Sequence, residues 1–566
     1  MRGDIAVLVT FLHASLGASG AVAQLRPVTD EMLENPDPGD WLMTRRTYDA
    51  QSHSPLDQIN RGNVANLRLV WSWGIEKELP RVDDQVGPIV HDGVMYLSLP
   101  GGVVQALDAA TGDFMWEFRH RMAADRDGQS GGIRGGLVLY GDKAYIHPAD
   151  GRLVAINVDD GSLAWESVLF DPADRYSISS TGIAVEGKII SGVRCSGFNG
   201  KRCFISAIDA ESGREVWKTY TTTLPGEPGG DTWGDLDPSV RPGGDPWITG
   251  TYDPNLRLIY WGAAQAKPWH RISRGTGDAP LLYTSSTLAL DPATGAIRWY
   301  YQYVPGESFD MDEHFAFINV DADRRRSGYM MGKMGVLWQV DRVTGQLIGA
   351  HDTGLQNIAE IDPERGFIRY KPELMAVPPG DVSYTCPSTS GFKAAREMSY
   401  NPGTQAFYIP MSLNCSDRVF LEVEVPGGGG GECCRVNKFH PDHPGDLGQL
   451  LAMGIHGNQL WAVREPIQLS SSVMTTAGGL VFVGDTDRYI RAHDAETGEL
   501  LWRTRLTTKV SGWPVTYSVN GRQYLAVITG VDAHNWISTV SRDLAPQSVW
   551  PIAGMAVFVF ALPESP

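Results

Sequence analysis

Short runs of alternating apolar and polar residues, each closed by a glycine-containing turn, account for most of the chain. Gly93-Val94-Met95-Tyr96-Leu97 and Gly479-Leu480-Val481-Phe482-Val483 are representative. They have the length and the β-branched, aromatic make-up of strands, and almost no stretch shows the 3.6-residue period of a helix. One phrase recurs between the runs: a small residue, an apolar residue, Asp, two residues, Thr/Ser-Gly, three residues, Trp. It reads Ala106-Leu107-Asp108, Thr111-Gly112, Trp116, and returns at Asp209, Ser212-Gly213, Trp217, at Asp291, Thr294-Gly295, Trp299, and at Asp494, Thr497-Gly498, Trp502. Weaker copies are Asn157, Gly161, Trp165, then Asp341, Thr344-Gly345 without a Trp, then Gly457, Trp461; Trp71 reads as the remnant of a first copy.

Each copy predicts strand, tight turn, strand. The Asp caps the turn backbone, the Gly takes the left-handed conformation, and the Trp docks between neighbouring sheets. Eight copies spaced by about 50 residues, wherever no insertion intervenes, predict an all-β fold. The expected architecture is an eight-bladed β-propeller with W-shaped, four-stranded blades, whose closure protects strand edges that an open sheet would expose. The longer gaps, between Trp217 and Asp291 and between Asp341 and Trp461, mark insertions where ligand-binding loops are expected to gather. The glycine run 427–431 inside the second gap lacks the strand and helix that a nucleotide loop requires.

Composition refines this picture. With 42% hydrophobic and 20% charged residues, 64 Gly and 17 Trp among 566 residues, the chain is globular and turn-rich. The net charge of −18 leaves no basic face for nucleic acid and suits a basic partner such as an electron carrier. Arg2, an apolar stretch over 5–16 and Ala21-Val22-Ala23 have the order of a signal peptide, residues 1–23, cleaved before Gln24. That leaves 24–566 as one propeller domain, expected to be periplasmic, and no stretch is long enough to span a membrane. In an oxidising compartment the six cysteines invite pairing. Cys195 with Cys203, and Cys386 with Cys415, are the candidate disulfides, whereas adjacent Cys433-Cys434 would form a strained ring or remain thiols. No C-x-x-C-H occurs, so no c-type haem is attached to this chain.

Taken together, these phrases resemble the quinoprotein alcohol dehydrogenases that use pyrroloquinoline quinone (PQQ). The likeness also rests on Ser54-Pro55-Leu56-Asp57-Gln58-Ile59-Asn60, Ala477-Gly478-Gly479-Leu480-Val481-Phe482 and Pro514-Val515-Thr516-Tyr517. The haem-free architecture and Pro27-Val28-Thr29-Asp30-Glu31 look closest to the branch that includes sorbose dehydrogenase. The resemblance implies oxidation of a primary or secondary alcohol, with a secondary alcohol, polyol, sugar or bulky ring alcohol favoured. Electrons would pass to a soluble cytochrome c or similar acceptor.

It also implies roles for particular residues. Asp310, in Ser308-Phe309-Asp310-Met311-Asp312, is the general base that takes the hydroxyl proton as hydride leaves for the quinone. Arg134 pairs with a cofactor carboxylate, Ser179 contacts another, Trp247 forms the floor under the quinone ring, and Lys333 binds its oxygens. The metal, Ca²⁺ or alternatively a lanthanide, falls to Asp310, to Gln265 where the family has Asn, and to Asp312, an extra carboxylate. The family's metal-binding Glu is absent; Asn199 substitutes for it or Asp312 restores the charge. The ring-stacking vicinal disulfide expected just before Arg134 is also missing. Two rival readings are a catalytically silent scaffold for outer-membrane assembly and a sugar-binding propeller. The scaffold gives no reason for Asp310, Arg134, Trp247 and Lys333 to coincide; the sugar-binding reading would show equilibrium binding without turnover.

Overall fold

The computed structural model describes residues 25–75, 87–121, 136–195, 200–241, 243–362, 366, 368–422, 431–530, 536–551 and 554–564. The expected signal segment, Arg134 and Asn199 lie outside the described residues.

Within each blade the middle strands are buried on both faces and the outermost strand is not. Val103–Asp108 is buried almost throughout, whereas its partner Phe114–Arg119 exposes Phe114 and Met115 and buries Trp116. The runs expected to alternate, Val94–Leu99 and Leu480–Gly484, are instead buried almost throughout, because neighbouring blades cover both of their faces. The result is seven antiparallel four-stranded sheets and one carrying a fifth strand.

Blades 2 to 6 are consecutive in sequence, from Ile89–His91 through Leu347–Asp352. Blade 7 joins Ser399–Asn401, Ala406–Ser412, Gly448–Gly454 and Gln459–Glu465. Blade 8 runs from Met474–Thr476 to Leu500–Arg505, and His53–Ser54 adds to it in parallel. Blade 1 is assembled from both ends of the chain: Arg68–Gly74 pairs antiparallel with Ala556–Ala561, followed inward by Arg522–Thr529 and Val515–Val519.

The recurring phrase does in three dimensions what its residues predict. Asp108 Oδ1 accepts from the Ala110 and Thr111 amides at 2.9 Å, and Gly112 has φ +78°. Six of the tryptophans lie against the turn glycine of the next blade. A Cβ on Gly161 would stand 2.5 Å from the Trp116 ring, and one on Gly295 2.5 Å from Trp217. The indole N–H groups donate to the same turns, Trp116 to Val158 O at 2.9 Å and Trp217 to Pro292 O at 3.0 Å. The pairs run Trp71/Gly112, Trp116/Gly161, Trp165/Gly213, Trp217/Gly295 and Trp299/Gly345, and later Trp461/Gly498.

The copy without a tryptophan has Gly349 in its place, and His351, two residues along the same strand face, covers Gly457 instead. Trp502 of blade 8 packs on Phe560 of blade 1 at 5.4 Å between ring centroids, so the series returns to its start and the ring is closed. Eight blades are present.

Both expected disulfides form, Cys195–Cys203 and Cys386–Cys415, and Cys433 and Cys434 remain thiols. The second insertion supplies an extra three-stranded sheet, Val382–Thr385, Asn414–Phe420 and Glu432–Phe439. His440 is buried, with Nε2 at 2.9 Å from Leu355 O. No helix among the described residues is long and apolar enough to cross a membrane.

Candidate active site

The loop after blade 5 turns sharply at Asp310, whose φ of +59° is unusual for a residue with a side chain. Glu307 holds that turn: its buried carboxylate accepts from the amides of Phe309 and, at 3.1 Å, of Asp310. The turn aims the Asp310 carboxylate inward, where it is 6% exposed. Lys333, from the hairpin inside blade 6, reaches it with Nζ at 2.8 Å from Oδ2 and 2.9 Å from the Asp310 carbonyl. The same ammonium lies 2.7 Å from Asp312 Oδ2. From blade 5, the Gln265 amide donates to Asp310 Oδ1.

Four of the residues singled out from sequence therefore meet in one buried cluster. Two oxygens there are buried without a hydrogen-bond partner, Gln265 Oε1 and Asp312 Oδ1. With the Asp310 carboxylate they form an all-oxygen donor set, the kind a hard cation takes. The residues present fit such an ion.

Burial raises the Asp310 carboxyl well above the usual carboxylate range; Lys333 opposes this, and the neighbouring Asp312 charge adds to it. For Lys333, burial works against the ammonium, but Asp310 and Asp312 together raise it above the ordinary lysine value. Next along the chain, burial pushes Glu313 up to about 8 and His314 down to about 4.

His314 links this cluster to the expected cofactor floor. Its ring lies 5.1 Å from Trp247, edge-on, and its Nδ1 is 3.7 Å from Asp312 Oδ1. The stretch carrying Trp247 is pinned from behind. Asp245 is buried, paired with Lys267 at 2.6 Å and packed on Cys203 Sγ at 3.6 Å. Lys267 and Arg194 hold the Asp245 carboxyl below the usual range against the effect of burial. Gly192 makes room here, since a Cβ on it would stand 2.0 Å from Pro246 O.

Trp247 and Ser179 share one cavity, open to solvent and completed by Arg45, Ser180, Glu397 and Trp513. The hydroxyls of Ser179 and Ser180 are buried without partners, and Arg45 brings a buried guanidinium to the same wall. Arg45 is fixed by Thr249 O at 2.7 Å and Gly250 O at 2.8 Å, with Glu397 3.9 Å away. A flat, multiply charged carboxylic acid matches an indole floor flanked by spare hydroxyls and a cation, so the cavity fits PQQ as well.

Arg45, Ser180, Glu397 and Trp513 were not found from sequence. Arg45 follows no motif and acts on carbonyls more than 200 residues away; the only local signal is that it stands in an N-terminal segment rich in buried residues.

Comparison with known proteins agrees with this geometry. The profile of the PQQ glucose/ethanol/alcohol dehydrogenase β-propeller domain matches residues 41–350 and 445–525. The quinohemoprotein alcohol dehydrogenase ADH IIB of Pseudomonas putida is 33% identical over 531 residues, covering 87% of this chain and 73% of that protein. The quinoprotein alcohol dehydrogenase PedH of Pseudomonas putida is 30% identical over 556 residues, covering 92% and 90%. Among solved structures, a europium-containing methanol dehydrogenase superposes with a TM-score of 0.84 at 26% identity, covering 94% of this chain and all of that one. A closed eight-bladed ring with an acidic cluster beside an indole-floored cavity is the architecture of a quinoprotein. The chain belongs to the PQQ-dependent alcohol dehydrogenase family and is an oxidoreductase.

Proposed function

We propose that this protein is a periplasmic dehydrogenase that oxidises a secondary alcohol, polyol, sugar or bulky ring alcohol to the carbonyl and passes the electrons to a cytochrome c. The observation that carries the reading is the buried meeting of Asp310, Asp312, Gln265 and Lys333, with two oxygens left for a cation. PQQ supplies the two-electron acceptor and the bound cation a Lewis acid.

Asp310 takes the substrate hydroxyl proton at its carboxylate. A carboxyl raised towards neutrality by burial is a stronger proton acceptor than an exposed one. Lys333 keeps that carboxylate oriented through Oδ2 and the backbone carbonyl, and Gln265 steadies Oδ1. Trp247 orients the cofactor ring, Ser179 and Arg45 hold its acidic groups, and Arg134 adds the family's guanidinium from outside the described residues. Asn199, likewise outside the described residues, is the further metal ligand of this reading.

Ca²⁺ is the assigned metal. Two carboxylates and one ammonium leave the cluster with one net negative charge, modest for a trivalent ion. The spare oxygen of Asp312 favours the second reading, a lanthanide, and the structural relative containing europium supports it. Export follows from residues 1–23, and the charge of −18 steers a basic acceptor to the surface.

Reconstitution with PQQ and either Ca²⁺ or La³⁺, followed by a dye-reduction screen over alcohols, tests the whole reading. Uptake of the quinone with turnover of secondary alcohols or polyols is expected; a protein that neither takes up quinone nor reduces dye contradicts it.

A further inference from the structure

Two buried arginines stand against the loop that carries the base, and they are treated differently. Arg274 spends its guanidinium on backbone: Nη1 donates to the carbonyls of Pro268, at 2.8 Å, and Trp269, and Nη2 to Glu307 O at 2.7 Å. Arg418, on the strand Asn414–Phe420 of the inserted sheet, has its side chain wholly buried and uses one nitrogen only. Its Nη1 donates to Phe309 O at 2.9 Å, the carbonyl of the peptide that leads into Asp310, while Nε and Nη2 have no partner.

His270, 1% exposed, is also without a partner at either ring nitrogen. Both side chains lean on the same aromatic pair. The Arg418 guanidinium lies 4.8 Å from the Phe420 ring and 5.5 Å from Phe309; the His270 imidazole stacks on Phe420 at 4.8 Å and meets Phe309 edge-on at 6.4 Å. Trp269, beside His270, is a third side chain with an unpartnered N–H. Buried donors of native proteins are almost always satisfied, so this many at one loop points to a guest.

We propose that Arg418 and His270 bind the hydroxyl groups of a polyhydroxy alcohol other than the hydroxyl being oxidised. This rests on the dehydrogenase reading and narrows its substrate. Glu432 at 3.9 Å, with Asp310 and Glu307 close by, already answers the Arg418 charge, so no excess positive field remains to call for a carboxylate. Hydroxyls both donate and accept, which matches spare guanidinium donors beside an imidazole that offers one of each.

The test is the ratio of kcat/KM for 2,3-butanediol to that for 2-butanol in holoenzyme loaded with PQQ and Ca²⁺. The wild type is expected to favour the diol. Arg418→Met and His270→Phe should each lower the ratio by roughly tenfold or more; His270→Phe should change 2-butanol by less than about threefold, whereas Arg418→Met also frees Phe309 O beside the base and lowers turnover of both alcohols. Arg418→Lys should recover part of the loss. His270→Phe keeps the stacking on Phe420, so it decides the matter if Arg418→Met fails to fold. A ratio unchanged in the variants, equal losses on both alcohols, or a preference of the wild type for 2-hydroxybutyrate would overturn the proposal while leaving the dehydrogenase reading intact. If no quinone is taken up, that reading fails, and calorimetry of sorbitol with the cofactor-free protein scores the inference separately. Heat seen in the wild type and lost in both variants supports it; its absence in the wild type refutes it.

Discussion

The tryptophan belt and the buried cluster around Asp310 are built on the same blades under opposite rules. At the belt, every Asp is capped by turn amides, every glycine is covered by a neighbour's ring, and most indole N–H groups find a carbonyl. At the hub, carboxylates face one another across a single ammonium, a non-glycine residue sits at positive φ, and several polar atoms have no partner. The belt stabilises the ring by repetition of a satisfied local motif. The hub is a place where stability is given up for chemistry, and the surrounding ring can sustain it because its own interactions are complete.

The sharpest break of this contrast is at the base. Asp310→Asn should lower kcat by at least roughly a thousandfold while leaving quinone binding and the melting temperature nearly unchanged; retained turnover would remove Asp310 from the mechanism. Lys333→Met leaves Asp310 and Asp312 buried without their cation and should cost about 4 kcal/mol of stability. Added Ca²⁺ should restore more of the melting temperature in that variant than it adds to the wild type. Equal shifts in both would mean the ion binds elsewhere.

At the belt, Trp116→Ala should cost about 3 kcal/mol by urea unfolding and leave kcat unaltered at temperatures where the ring is folded. A large loss of kcat there would erase the division of labour. A separate expectation concerns pH dependence. His53, His147, His270 and His314 are held neutral by burial, each pushed down to about 4. Their contribution is complete above pH 6.5, where the unfolded chain also leaves them uncharged, and is lost as pH falls from there towards 4. Unfolding midpoints at pH 7, 6 and 5 should decline in that order; a flat profile contradicts their neutral state.

The belt was legible in the sequence because its logic is local. Asp, Gly and Trp within nine residues dictate a turn and its covering ring, and even the degenerate copy at Gly457 could be placed. What escaped was His351, which replaces a tryptophan from two positions away and is invisible to a motif with fixed spacing. At the hub, Asp310, Asp312, Gln265, Lys333, Ser179 and Trp247 were reached only through family resemblance, and the structure gathers all six around the cluster and its adjoining cavity. Arg45, His270 and Arg418 carry no local signature. Each matters because of what the fold brings to it from far along the chain, as Arg418 meets Phe309 across 109 positions.

The seam in blade 1 has its own consequence. Arg68–Gly74 can find its partner Ala556–Ala561 only after the chain has been made through residue 561. Until then the growing polypeptide is an open arc with two raw edges, which proteases and holding chaperones can recognise. The strand Ala556–Ala561 acts as a latch on the ring, so a chain truncated before residue 556 should be lost to proteolysis instead of accumulating as a seven-bladed imitation.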